Sequence, residues 1–265
     1  MPSVDWPELE VIAMHGWAGQ STNWNPWQRA VEPLEWPWQA PERGYGTLAP
    51  RSCQWGAGRR RVVIGHSLGP HLLPASLLAA ADGVVLLASF GRFVPTDREG
   101  RRLRMALERM AAPLSQSTGP PSPPVTPGPE PEAQPEQREA AVAAGAQAML
   151  RAFLAEAAAP DPVNLMPPGP ADQPPGAESR QRLLRDLELL GRTTGLPAGF
   201  PEGAKLLIVE AEQDRIVPPR SRAALREALP SAEVISMAGA GHALLQAPVI
   251  PAVLEWLAGA FPVGA

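Results

Sequence analysis

Ser67 sits in "VVIGHSLGP", residues 62–70, with Gly65 and Gly69 two positions to either side and a β-branched run ahead of it. A strand–G-x-S-x-G–helix junction makes so tight a turn that the serine takes strained dihedrals and its flanking residues must be small. The turn lifts the hydroxyl above a sheet edge. It also leaves the first N–H groups of the following helix free for a negative oxygen. Pro70 suits that first helical turn, because the N–H it lacks had no partner there. By composition alone the pattern arises in roughly one chain in ten of this length. The preceding "RVVI" and the helix-compatible stretch after it therefore add most of its weight.

A serine hydroxyl needs a general base, and the base needs an orienting acid. Four histidines are available: His15, His66, His71 and His242. His66 lies inside the turn and is expected to point away from the hydroxyl; His71, in the helix, packs or is solvated. His242 occupies "MAGAGHALL", a small-residue loop able to carry an imidazole back over the sheet edge, and is the candidate base; the alternative is a surface-loop histidine. Asp214, in "LLIVEAEQDRIVP", follows a buried strand and is the candidate acid, with Glu212 the near competitor. Parallel strands end on one edge, which would gather Ser67, Asp214 and His242 there. The remaining aspartates lie at helix starts or in linkers, where capping or solvation accounts for them. An oxyanion site would come from "AMHGWAG", where Gly16 lets the backbone turn and the N–H of Trp17 joins that of Leu68. His15 then reads as a structural hydrogen-bonding residue rather than the base.

The elements that must position these groups are short apolar runs bounded by turn signals: 9–14, 61–65, 83–89, 205–211 and 232–239. Each reads as a strand buried on both faces. Helix-compatible stretches at 68–80, 221–229 and 249–260 alternate with them, so a mostly parallel central sheet flanked by helices is expected. From 93 to 199 the rhythm changes to three helical pieces, 97–111, 137–158 and 178–193, separated by Pro-rich segments around 119–135 and 160–175. The latter are poor in large apolar residues and read as exposed, partly mobile linkers. Residues 1–92 and 200–265 thus form a core domain, and 93–199 a helical lid inserted between strands. The stretch 34–61 is short for a full second strand and a helix.

At 265 residues with 45% hydrophobic content, the chain can bury one large α/β core. A net charge of −4 gives no reason to expect nucleic acid or an anionic membrane as partner. The lone Cys53 excludes an internal disulfide, and no secretory leader or membrane span is evident, so a cytoplasmic monomer is the default expectation. The scattered histidines have no metal-ligand spacing, so neither metal nor organic cofactor is implied.

"HGW", "GHSLG", "EQDRIVP" and "GAGH", with the order Ser67, Asp214, His242, resemble the working segments of the α/β-hydrolase family over 9–90 and 205–260. Within that family the pattern looks most like the carboxylesterases that cleave the methyl ester of pimeloyl-acyl-carrier protein in biotin synthesis. "HGWAGQSTNW", "VVLLASFGRFVP" leading into a basic lid, and "LLRDLELLGRTTGLP" carry that likeness. The resemblance implies a serine esterase acting on a carrier-linked or small-molecule acyl ester. A broad small-ester esterase, a thioesterase and a triad lyase of menaquinone synthesis fit the same residues, and a non-catalytic receptor is the reading outside enzymes.

Arg101, Arg102, Arg104 and Arg109 crowd the first lid helix, near Arg92 and Arg98, and Arg180, Arg182 and Arg185 add charge to the last. They read either as a solvated face with Glu99, Glu108 and Glu178 as partners, or as a docking surface for an acidic acyl-carrier protein. Trp17 and Trp24 are candidates to line an apolar acyl channel.

Overall fold

The computed structural model describes residues 6–57, 59–116, 134–245 and 248–262. Six strands form one all-parallel sheet in the order β2-β1-β3-β4-β5-β6: β1 (Leu9–Met14), β2 (Trp38–Gln39), β3 (Arg60–His66), β4 (Gly83–Leu87), β5 (Lys205–Ala211) and β6 (Glu233–Met237). The runs expected from hydrophobicity recur as β1, β3, β4 and β5, whose central residues are buried on both faces. The last strand departs from expectation. As the edge strand β6 is mostly exposed, with Val234 46% accessible. The short stretch before β3 holds only the two-residue β2 between Pro37 and Pro41, followed by a loop pinned by the antiparallel bridge Glu42–Arg51.

Core helices are α1 (Asn25–Val31), α2 (Gly69–Leu72), α3 (Ala75–Ala79), α7 (Pro219–Ala228) and α8 (Val249–Ala260). The single helix expected over 68–80 is broken in two, because Pro74 forces Leu73 into an extended conformation (ψ 147°). One sheet face packs on Trp24, Trp27, Trp36 and α8, and the other on Leu77, Leu78 and Leu225. Trp24 therefore belongs to a tryptophan cluster with Trp27 and Trp38 in this core, and lines neither of the cavities described below.

Between β4 and β5 the chain leaves the sheet for α4 (Arg98–Ser115), α5 (Pro135–Ala158) and α6 (Ala177–Arg192). Asp97 caps α4 by accepting the Gly100 N–H at 3.1 Å, and Arg220 at the start of α7 pairs with the same carboxylate. Leu114, Leu150, Leu183 and Leu187 from these helices share a core with Trp17 and Leu68, so the helical insertion packs directly on the end of the sheet. The Pro-rich stretch expected around 119–135 lies almost wholly outside the described residues. The one around 160–175 is not simply an exposed linker: Pro170, Ala171 and Pro175 are buried, and Gln20 Nε2 donates to Pro168 O at 2.6 Å. No described helix is long and apolar enough to cross a membrane.

Candidate active site

In register, Met14 stands beside Gly65 and His66 beside Leu87, so β1, β3 and β4 end on one edge of the sheet. Ser67 follows β3 with φ +53°, the left-handed region that costs an L-residue roughly 1–2 kcal/mol. Its two glycines answer different neighbours. A methyl on Gly65 would fall 2.4 Å from Pro70 Cγ, and one on Gly69 would fall 2.3 Å from the Met14 carbonyl oxygen. The turn is held by Ser67 N–H to Leu87 O at 2.9 Å and by Ser89 Oγ–H to Ser67 O at 2.7 Å.

Asp214 and His242, 28 residues apart, meet beyond β5: His242 Nδ1 lies 2.9 Å from Asp214 Oδ2. The other carboxylate oxygen accepts the N–H groups of Ile216 at 2.7 Å and Val217 at 2.9 Å. Burial opposes ionisation of Asp214, but the His242 ring and these two N–H groups outweigh it and hold the carboxyl below its ordinary range. Glu212 is exposed and accepts the Gly239 N–H instead, so it stands away from the imidazole.

His66 has a part that its position in the turn did not disclose. Its Nε2 lies 2.8 Å from the His242 carbonyl oxygen, so the residue before Ser67 holds the backbone of His242. Burial, reinforced by the neighbouring His242, pushes its pKa down to about 3, which makes it a neutral donor from Nε2. Above pH 6.5 His66 is neutral in both folded and unfolded chains. Below it the unfolded chain takes up a proton the folded one refuses, so stability falls by about 1.4 kcal/mol per pH unit from this group as pH drops from 6.5 toward 3. His66→Gln keeps a donor for the carbonyl and removes the titration. Urea unfolding at pH 7, 6 and 5 should show a shallower acid decline in the variant; parallel declines would remove this account. His71 is half-buried, stacked on Phe90 with Nε2 2.9 Å from the Phe90 carbonyl oxygen.

His15 is fully buried and neutral: burial lowers its pKa against the opposing pull of Glu42. Its Nδ1 lies 2.9 Å from Gly16 O. Gly16 is pressed against the Ser67 turn, where a methyl would meet Ser67 Cβ at 2.9 Å. Among the described residues, neither the Trp17 nor the Leu68 backbone N–H meets an acceptor.

Two cavities border these groups. One of about 340 Å³ lies beneath the inserted helices with Ser67 in its wall and an apolar lining that includes Leu103, Leu107 and Met110 from α4, Met149 and Phe153 from α5, and Leu187 from α6. An exposed ion pair, Arg215 with Glu156 at 3.7 Å, borders it. The other, about 60 Å³, is lined by His242, Gly16, Trp17, Phe153, Met166 and Pro170. The edge-to-face pair Trp17–Phe153, with centroids 4.9 Å apart, contributes to both linings.

Arg101, Arg102, Arg104 and Arg109 are exposed on α4, and among the described residues none of them forms an ion pair. The arginines of α6 are not one solvated set. Arg180 is buried against Glu139 of α5 at 2.7 Å, Arg182 pairs with Glu178 at 3.0 Å, and Arg185 is exposed.

No protein-family model matches the chain, and no curated protein does. Solved structures do. The esterase EaEST from Exiguobacterium antarcticum superposes with a TM-score of 0.63 at 12% identity, covering 95% of this chain and 92% of that one. A thermophilic esterase from Thermogutta terrifontis gives 0.57 at 14% identity, with 97% and 92% covered. BioG from Haemophilus influenzae gives 0.51 at 11% identity, with 90% and 91% covered. At these identities the likeness speaks for the fold: a six-stranded parallel sheet flanked by helices, the α/β-hydrolase architecture.

Proposed function

We propose that this protein is a serine carboxylesterase. The observation that carries the proposal is the buried Asp214–His242 hydrogen bond at the sheet edge where Ser67 faces an apolar cavity from a left-handed turn. In the proposed reaction His242 takes the proton of Ser67 Oγ as that oxygen attacks the ester carbonyl. Asp214 stabilises the resulting imidazolium, and the N–H groups of Trp17 and Leu68 receive the oxyanion. His242 then returns the proton to the departing alkoxide, which leaves as an alcohol. Water, deprotonated by the same imidazole, attacks the acyl-serine and releases the acid.

The two cavities support a division of the substrate. The base delivers its proton to the leaving group, so the alcohol belongs on the His242 side, in the smaller cavity. At about 60 Å³ it is much the tighter of the two, which suits a short-chain alcohol better than an acyl chain. The acyl chain belongs in the larger apolar cavity beneath the lid.

The finer reading is that the substrate is the methyl ester of pimeloyl-acyl-carrier protein. The exposed arginines of α4, which form no ion pair among the described residues and share that helix with Leu103 and Leu107 of the acyl cavity, support an acidic carrier at that surface. Turnover of methyl pimeloyl-acyl-carrier protein beside methyl butyrate tests both levels. Joint reversal of Arg101, Arg102 and Arg104 to Glu should raise KM for the carrier-linked ester by about 10-fold or more and leave methyl butyrate unaffected. Equal effects on the two esters would remove the carrier. Activity on methyl butyrate alone would leave the serine esterase.

A further inference from the structure

We propose that lid helix α6 is a fixed part of the oxyanion machinery, with Asp186 as a positioning residue for the Trp17 N–H. The inference rests on the serine-esterase reading above. The Gly16 carbonyl and the Trp17 N–H belong to one peptide plane and point in opposite directions, so whatever holds the oxygen aims the N–H. Gly16 O is held on two sides, by His15 Nδ1 at 2.9 Å and by the Gly19 N–H at 3.2 Å.

His15 is in turn fixed from behind. Its Nδ1 carries the proton that the Gly16 carbonyl accepts, and its Nε2 faces the backbone N–H of Arg43 at 3.4 Å and the Glu42 carboxylate at 3.7 Å. The Tyr45 ring packs edge-to-face on the imidazole, with centroids 5.7 Å apart. Both supporting residues close on one carboxylate. Arg43 Nε and Nη2 reach Asp186 Oδ2 and Oδ1 at 3.0 and 2.6 Å, and the Tyr45 hydroxyl donates to Oδ2 at 2.6 Å. Asp186 lies on α6 and is 4% exposed. Three residues earlier on the same helix, the Leu183 carbonyl accepts the Trp17 indole N–H at 2.8 Å. Positions three apart share a helix face, so one stretch of α6 grips the oxyanion residue by its side chain and, through Arg43, Tyr45 and His15, by its backbone.

A carboxylate that only anchored the lid would alter melting and leave the folded enzyme equally reactive. A positioning carboxylate alters the reaction itself, because the Trp17 N–H matters most when charge develops on the oxygen. The test uses Asp186→Asn and Tyr45→Phe in the full chain. It measures the rate of Ser67 phosphonylation by a fluorophosphonate, kcat and KM on methyl butyrate, and Tm. Deleting an oxyanion donor outright costs about 10²–10³ in rate, so a misaimed one in Asp186→Asn should cost about 10- to 100-fold in phosphonylation and kcat, with KM within about 2-fold. Tyr45→Phe, which keeps the ring on His15 and loses one hydrogen bond, should show a smaller loss of the same kind. A cooperatively melting Asp186→Asn protein that reacts at the wild-type rate would overturn the inference, as would a loss residing wholly in KM. Where Asp186→Asn fails to fold, wild-type reactivity of Tyr45→Phe overturns it. Wild-type protein that resists phosphonylation at Ser67 would sink the esterase reading first, and the positioning role with it.

Discussion

Ser67→Ala is expected to lower ester turnover by at least about 10⁴-fold while leaving the fold intact. In the proposed reaction the Ser67 hydroxyl is consumed and regenerated, so no neighbour replaces it. The contacts that hold the turn use only the backbone of Ser67, its N–H to Leu87 O and its carbonyl accepting Ser89 Oγ–H, and alanine keeps both. Alanine also keeps a Cβ at φ +53°, so the left-handed strain is neither relieved nor increased. Stability should therefore stay within about 1 kcal/mol of wild type, as for substitutions that make no cavity and orphan no buried partner. The measurement is kcat/KM on methyl butyrate with a melting curve on the same preparation, and mass spectrometry after fluorophosphonate treatment. Turnover within 10-fold of wild type in a folded Ser67→Ala protein would mean that the hydroxyl is not the nucleophile.

How much of this site could be read before the structure depends on whether the signal is local. The turn at Ser67 is local: two glycines, an apolar strand and a helix start within nine residues, and the clashes awaiting a methyl at Gly65 and Gly69 explain why both are glycine. The pairing of Asp214 with His242 is not local, yet it was legible because each residue follows a run that must end on the same sheet edge. The break between α2 and α3 was signalled by Pro74, a cue that a helical reading of 68–80 passed over. Exposure of β6 was not legible, since an edge strand and a central one can share one hydrophobic pattern; the neighbour count depends on topology.

The clamp on α6 shows the limit more sharply. In the sequence Asp186 groups with the aspartates at helix starts or in linkers, where capping or solvation accounts for them; it lies instead within α6 and is buried, because its partners Arg43 and Tyr45 come from an irregular loop 143 and 141 residues away. No periodicity joins them. Arg180 is the same case: it looks like one more charge on a basic helix, yet it is 4% exposed and seals α6 against Glu139. His66 likewise acts on a loop 176 residues away, through a bond that a tight turn does not announce. Each of these groups bonds a residue far away in sequence, and such contacts are written in the tertiary structure.

Asp214→Asn should be nearly as damaging as loss of the nucleophile, and by a route the hydrogen bonds make specific. Asp214 Oδ1 accepts two backbone N–H groups, from Ile216 and Val217, and only an oxygen can stay there. The new amide NH₂ must then take the place of Oδ2, 2.9 Å from His242 Nδ1. Two donors cannot face each other, so the imidazole moves its proton to Nε2 and presents an N–H where the reaction needs a lone pair. The loop keeps its backbone bonds, so kcat should fall about 10⁴-fold with KM and Tm little changed. Asp214→Ala should lose stability as well, because it strands the two N–H groups. Glu212→Gln is the control: exposed and bonded to the Gly239 N–H, it should stay within about 2-fold of wild type. Asp214→Asn protein retaining a tenth or more of wild-type kcat would mean that His242 is oriented by something else, and a large loss at Glu212 would say what.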